Sequence, residues 1–173
     1  SVPWDIHPRR AKEILFQGTD INAYLHARGG VLFELDSLKT SRNLSNTFGR
    51  YEELEYSGPL GPRRRCFLDR FQAGPSGPEE SVRCRTVDLG NFADSYFSIR
   101  ELTRSNQEIG LIRDGLVSLG EHKIPVTVEK VFQFRSAGVT VRYTITNRGS
   151  DDLSCVYACD LNPAHIAHAE RLR

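Results

Sequence analysis

Tyr24, His26, Glu34 and Asp36 are side chains of the kinds that handle sugars or protons, and all fall within one short stretch. Glu34 and Asp36 are two residues apart, so on an extended strand they share a face with Cα atoms about 6.5–7 Å apart. Paired carboxylates roughly 5–9.5 Å apart are what glycoside hydrolysis uses. Tyr24 and His26 add a ring and an imidazole on the same face of the adjoining strand. The plainer reading is the solvent face of a hairpin. Catalytic carboxylates need burial or a like charge to separate their pKa values, and they usually come from different elements that close around the sugar. Sugar contact is therefore expected at this face before catalysis.

Other reactive groups carry less. His165, His168 and Glu170 spell His-x-x-His-x-Glu, but zinc needs a third ligand and a fourth position, and an exposed helical end is preferred. Arg63, Arg64 and Arg65 have the chemistry to grip a phosphate or a carboxylate. In a chain with 23 basic and 22 acidic residues they read as surface. Cys66, Cys84, Cys155 and Cys159 show no zinc spacing. Cys155 and Cys159 would lie about 13 Å apart on a strand, beyond the roughly 7 Å a disulfide allows. Buried free thiols in a reducing cytoplasm are expected. No Gly-x-Gly-x-x-Gly, Walker, Gly-x-Ser-x-Gly or His-Glu-x-x-His motif occurs, so no cofactor and no metal are expected.

The elements that must hold the four side chains are legible in alternation. Gly29-Gly30 separates two alternating runs, as in a β-hairpin. With a three-residue loop (Arg28 to Gly30), Ala27 faces Val31, Leu25 faces Phe33 and Ala23 faces Leu35. One face is then wholly apolar, and the other carries Asn22, Tyr24, His26, Leu32, Glu34 and Asp36. The expected core set is Ala23, Leu25, Ala27, Val31, Phe33 and Leu35.

Around this hairpin, residues 1–10 read as an extended lead-in from an upstream domain, and Ala11 to Phe16 as a short strand. Leu44, Phe48 and Tyr51 recur at helical spacing and predict one short helix starting near Ser41 or Asn43. Residues 57–65 and 73–81 are Gly/Pro loops. From Val82 onward strands follow one another. Ile109 to Arg113 and Leu116 to Leu119 flank Asp114-Gly115, a hairpin signal. Val126, Val128, Phe132 and Phe134 share a face that Lys130 interrupts. The loop at Arg135 to Gly138 would pair Phe134 with Val139 and Phe132 with Val141. Leu153 to Ala158 is another strand, and residues 163–173 form a terminal segment that turns helical. Many short strands at roughly ten-residue spacing predict an all-β sandwich, here over residues 11–162.

The chain of 173 residues has room for one cored domain. A net charge of +1 argues against nucleic acid or a membrane surface as partner. No apolar run approaches the roughly 18–20 residues of a membrane span. The chain begins at Ser1 and has no Met, which predicts either a piece of a longer protein or a sequence lacking some residues.

Particular words in the chain resemble a known family. Residues 29–36 (GGVLFELD) resemble the "GG…FELD" strand opening the C-terminal region of family 57 glycoside hydrolases of the α-amylase and 4-α-glucanotransferase type. Residues 43–52 resemble its "N-L-x-N-T-x-x-R-x-E" stretch. Residues 64–71 resemble its "RR-x-F-L-D-H-F", with Arg70 in place of His. Ile124 to Asn147 and Tyr157 to Asn162 look like strands of its galactose-mutarotase-like sandwich. The resemblance implies an all-β supersandwich behind a catalytic (β/α)₇ barrel that holds the nucleophile and the acid. Hence no residue here is expected to be catalytic. The implied partners are that barrel domain and an α-glucan or maltooligosaccharide. From the residues themselves, contact with the sugar is expected through Tyr24, His26, Glu34, Asp36 and Arg50, and the cysteines point to the cytoplasm. The alternatives are a stand-alone carbohydrate-binding module and a mutarotase-like epimerase pairing His26 with Glu34, with His122 in a loop.

Overall fold

The computed structural model describes residues 4–6, 13–45, 65–74, 87–136 and 138–161. Among them every regular element is a strand: β1 (Trp4–Ile6), β2 (Glu13–Gln17), β3 (Ile21–His26), β4 (Val31–Ser37), β5 (Arg42–Asn43), β6 (Leu68–Gln72), β7 (Ser98–Thr103), β8 (Glu108–Leu119), β9 (His122–Arg135), β10 (Gly138–Asn147) and β11 (Val156–Asp160). They form three antiparallel sheets, in the orders β1-β2-β3-β4-β5, β10-β9-β8-β7 and β11-β6. No described helix is long and apolar enough to cross a membrane.

The two large sheets bury their apolar faces against each other. Ile14, Phe16, Ala23 and Leu25 from one meet Ile109, Leu111, Val126, Val128, Phe132 and Phe134 from the other in a single core. Phe16 and Phe134 stack across the interface with centroids 4.5 Å apart. Period-two alternation makes this possible, because it sends every second residue of a strand inward. The small sheet is tied to both. Leu32 of the first sheet and Cys66, which leads into the small sheet, exchange backbone bonds of 3.0 and 2.8 Å. The 89–91 segment bridges to the second, through Leu89 N–H to Phe71 and Ser118 N–H to Leu89.

The β9–β10 register is as expected, with Phe134 opposite Val139 and Phe132 opposite Val141. The β3–β4 hairpin keeps its expected register at the far end, Ala23 opposite Leu35 and Tyr24 opposite Glu34. Near the turn it differs. A bulge shifts the pairing so that Leu25 faces Leu32 and His26 faces Val31, not Phe33 and Ala27 with their expected mates. Leu32 goes into the core at 2 % exposure, and Phe33 leaves it for the rings of Tyr24 and His26. The cause is tertiary: Leu32 also pairs with Cys66, which draws this residue inward.

Two further expectations fail. Residues 42–45 are not the start of a helix. They run along the edge of β4, where Asn43 pairs with Asp36 and Ser45 Oγ accepts the Leu35 N–H at 3.2 Å. Exposed strand edges need such cover. Residues 46–64, the rest of the expected helix, and 162–173, the terminal segment, lie outside the described residues. Asp114-Gly115 is not a turn either, because β8 passes straight through it and turns at Gly120, whose φ is +62°. Gly115 serves space instead of conformation. A Cβ there would stand 2.5 Å from Asn91 Oδ1 and 2.6 Å from the Phe92 ring, and Phe92 is fully buried.

Gly115→Ala is therefore expected to destabilise the protein by about 1–3 kcal/mol through overpacking. Asp114→Ala, on an exposed residue whose carboxylate accepts the Thr127 hydroxyl at 2.6 Å, is expected to cost about 1 kcal/mol. Urea titrations of both variants check this; a larger loss for Asp114→Ala would favour a turn-like role for the pair.

Candidate functional site

The hairpin turn is built on its glycines. Gly30 N–H donates to Ala27 C=O at 3.0 Å, and Gly29 takes the left-handed conformation, φ +79°, that a Cβ resists. The turn is held from the side by Gly29 N–H to Ser95 C=O (2.7 Å) and Phe97 N–H to Ala27 C=O (2.9 Å). Arg28 pairs with Tyr96 as an isolated bridge, and its guanidinium contacts Asp94 at 3.3 Å. These bonds bring Tyr96 beside His26, with ring centroids 6.5 Å apart.

The outer face of β3 and β4 thus collects more than the alternation predicts. Tyr24 lies 5.9 Å from Phe33, and Phe33 lies 6.4 Å from His26. The Nδ1 of His26 accepts the Arg28 N–H at 3.0 Å, so that nitrogen is taken up by the turn. Glu34 and Asp36 do share a face. Burial, and then the neighbouring Asp36 carboxylate and a hydrogen bond with it, raise the Glu34 pKa above the ordinary carboxylate value. Arg50 lies outside the described residues, as do Arg63, Arg64, His165, His168 and Glu170. His122 opens β9 and contacts Asp151 at 3.7 Å.

A second polar constellation lies inside the molecule. Lys130, on the core face of β9, is 0 % exposed and meets the equally buried Asp69 of β6 at 2.7 Å. Its ammonium also donates to the carbonyls of Gly29 (2.8 Å), Gly30 (2.9 Å) and Phe67 (2.7 Å). The Phe97 ring lies 4.7 Å from Nζ. Phe67 is a non-glycine residue at φ +67°, a costly conformation whose carbonyl this lysine binds. Asp69 Oδ1 accepts the Tyr157 hydroxyl at 2.7 Å, and the Tyr143 hydroxyl lies 3.3 Å from Cys159 Sγ. Burial pulls the Lys130 pKa down and pushes that of Asp69 up, and their mutual attraction opposes both. Cys155 and Cys159 are free thiols.

Sequence reasoning missed Phe33, Tyr96 and this buried pair. The pair had a signal: Lys130 interrupts an apolar face, and Asp69 interrupts the apolar run Cys66 to Phe71. A lysine buried in such a face requires a counter-charge. The placement of Phe33 and Tyr96 rests on a bulge and on a contact between distant segments, which local pattern does not encode.

The family model described as "Alpha-amylase/4-alpha-glucanotransferase, C-terminal" matches residues 62–172. No curated protein sequence matches the chain significantly. Among solved structures, 4-alpha-glucanotransferase from Thermococcus litoralis is similar in fold, with TM-score 0.70 and 21 % identity over 88 % of this chain. The chain spans 25 % of the length of that protein.

Lys130→Met is expected to destabilise by about 3–5 kcal/mol, because Asp69 is then left buried without its counter-charge. Adding Asp69→Asn should recover part of the loss and leave the cost of the freed carbonyls. Additive losses in a denaturation double-mutant cycle would contradict the coupling. A second expectation concerns alkaline pH. Burial foremost raises the phenol pKa values of Tyr143 and Tyr157 well above the ordinary value. The folded state then keeps protons that the unfolded state loses near pH 10, so stability should fall as pH rises through about 10. A spectrophotometric titration should show these two tyrosines ionising only as the fold is lost.

Proposed function

This chain belongs to the C-terminal domain family of alpha-amylases and 4-alpha-glucanotransferases, and on that ground we propose that it is the accessory β-sandwich of an α-glucan-processing enzyme whose catalytic centre lies elsewhere in the same protein. The family match over residues 62–172 carries this reading. The site geometry supports it. Glu34 and Asp36 lie two apart on one strand, and the ionic pair of Lys130 and Asp69 is sealed in the core, both side chains fully buried.

In the finer reading the parent is a family 57 glycoside hydrolase or 4-α-glucanotransferase, and the sandwich is of the galactose-mutarotase-like supersandwich kind. It packs against a catalytic barrel and forms one wall of the substrate cleft, with Tyr24, His26, Glu34, Asp36 and the Arg50 region turned toward the glucan. The free thiols of Cys155 and Cys159 support a reducing, cytoplasmic setting.

Incubation of the purified chain with maltoheptaose should leave the sugar unchanged on a chromatogram. Hydrolysis or transfer products above those of a heat-denatured control would sink the accessory reading.

A further inference from the structure

Resting on the accessory-domain reading, we propose that the outer edge of β10 takes up one further β-strand, supplied by a part of the parent protein beyond residues 1–173.

β7 and β10 are the outermost strands of the four-stranded sheet, and they are built differently. β7 carries the devices that keep an edge from pairing. It is six residues long, its register breaks between Ile99 and Glu101, and Arg100 and Glu101 put two adjacent charges on it. Arg100 is also tied to Glu129 of the sheet itself. β10 has none of these devices. It runs for ten residues with no break in register. It contains no proline, and Arg142 is its one charge. Val139, Val141, Tyr143 and Ile145 alternate with Thr140, Thr144 and Thr146, all residues that favour strands. Among the described residues no strand lies on its outer side. About half of its N–H and C=O groups therefore point away from β9, a template for another strand.

The core also stops short at this edge. Along β9, Val128, Phe132 and Phe134 are 0 % exposed. Their partners on β10 are Ile145, Val141 and Val139. Ile145 is 37 % exposed, and Val139 and Val141 are only half-buried. One strand spacing, about 4.8 Å, thus separates a dry row from a wet one. The packing across from β10 thins at the same place. Every residue of β11 is half-buried, and Tyr157 of that strand meets Tyr143 with ring centroids 5.8 Å apart. A strand laid along β10 with its apolar side chains inward would cover Tyr143 and Ile145 and extend the core by one row. Its other side chains, hydroxyl or acidic, would stand beside Thr140, Arg142 and Thr144.

An attached strand is favoured over a second copy of the chain. The chain spans 25 % of the length of the similar solved structure, so an enzyme of that size has chain to supply the strand. A tethered segment also acts at an effective concentration in roughly the millimolar range, well above that of a separate molecule.

Hydrogen exchange, read by mass spectrometry on peptides from β7, β9 and β10 of the full-length parent protein, tests the proposal. β9 is bonded on both sides and should keep nearly all its amides, whereas β7 is bonded on one and should keep about half. β10 is expected to behave as β9 does, keeping about twice as many amides per residue as β7. Loss of about half the β10 amides would overturn the proposal. So would β10 protection that disappears on dilution to a monomer, followed by light scattering, because a second copy would then be the cover. The 173-residue chain supplies the converse: with β9 still protected, β10 should lose about half its amides. Full β10 protection in the monomeric chain would overturn the proposal, since the chain would already cover its own edge. The accessory reading is untouched by any of these outcomes and falls on turnover of maltoheptaose by the chain.

Discussion

One ammonium group joins parts of the chain that local structure leaves separate. Lys130 belongs to the four-stranded sheet, the carbonyls of Gly29 and Gly30 to the hairpin of the five-stranded sheet, and Phe67 and Asp69 to the two-stranded sheet and its approach. Hydrophobic burial alone would hold the large sheets face to face but allow them to slide, since it has no direction. A buried charge does not allow this, because any shift that lengthens its bonds leaves a cation in an apolar medium. The lysine therefore fixes the relative position of the three sheets, and the apolar contacts around it supply most of the cohesion.

The outer face follows from that constraint. With the Gly29–Gly30 turn held from inside by Lys130 and from the side by Ser95 and Phe97, β4 must accommodate Cys66 at Leu32. The bulge is the consequence, and it exchanges the sides expected for Leu32 and Phe33. A one-residue change in a strand reverses the facing of a side chain. Here it moves one aromatic residue from the core to the surface, where it completes the chain of rings between Tyr24 and Tyr96.

Several elements are readable from residues alone. The alternation along β9 and β10 set their existence, and the short loop at Arg135 to Gly138 set their register. The hairpin around Gly29-Gly30 is correctly placed for the same reason. Where local signals mislead, a distant residue has outweighed them. Asp114-Gly115 has turn chemistry, but the Phe92 ring needs the space over Gly115, and the strand runs on. Leu44 belongs to a helical spacing, but the open edge of β4 needs hydrogen bonds, and Leu44 N–H supplies one to Leu35.

By itself, then, the sequence determined the all-β class, the positions of most strands, the Tyr24, His26, Glu34 and Asp36 face and, through its words, the family. These depend on period-two patterns and turn residues, which are local properties. Only the tertiary structure decided that Phe33 and Tyr96 join that face and that Lys130 finds Asp69. Each of these depends on a contact between residues far apart in the chain, such as the 61 positions between Asp69 and Lys130, and a local pattern holds no information about which distant group will fill the space or answer the charge.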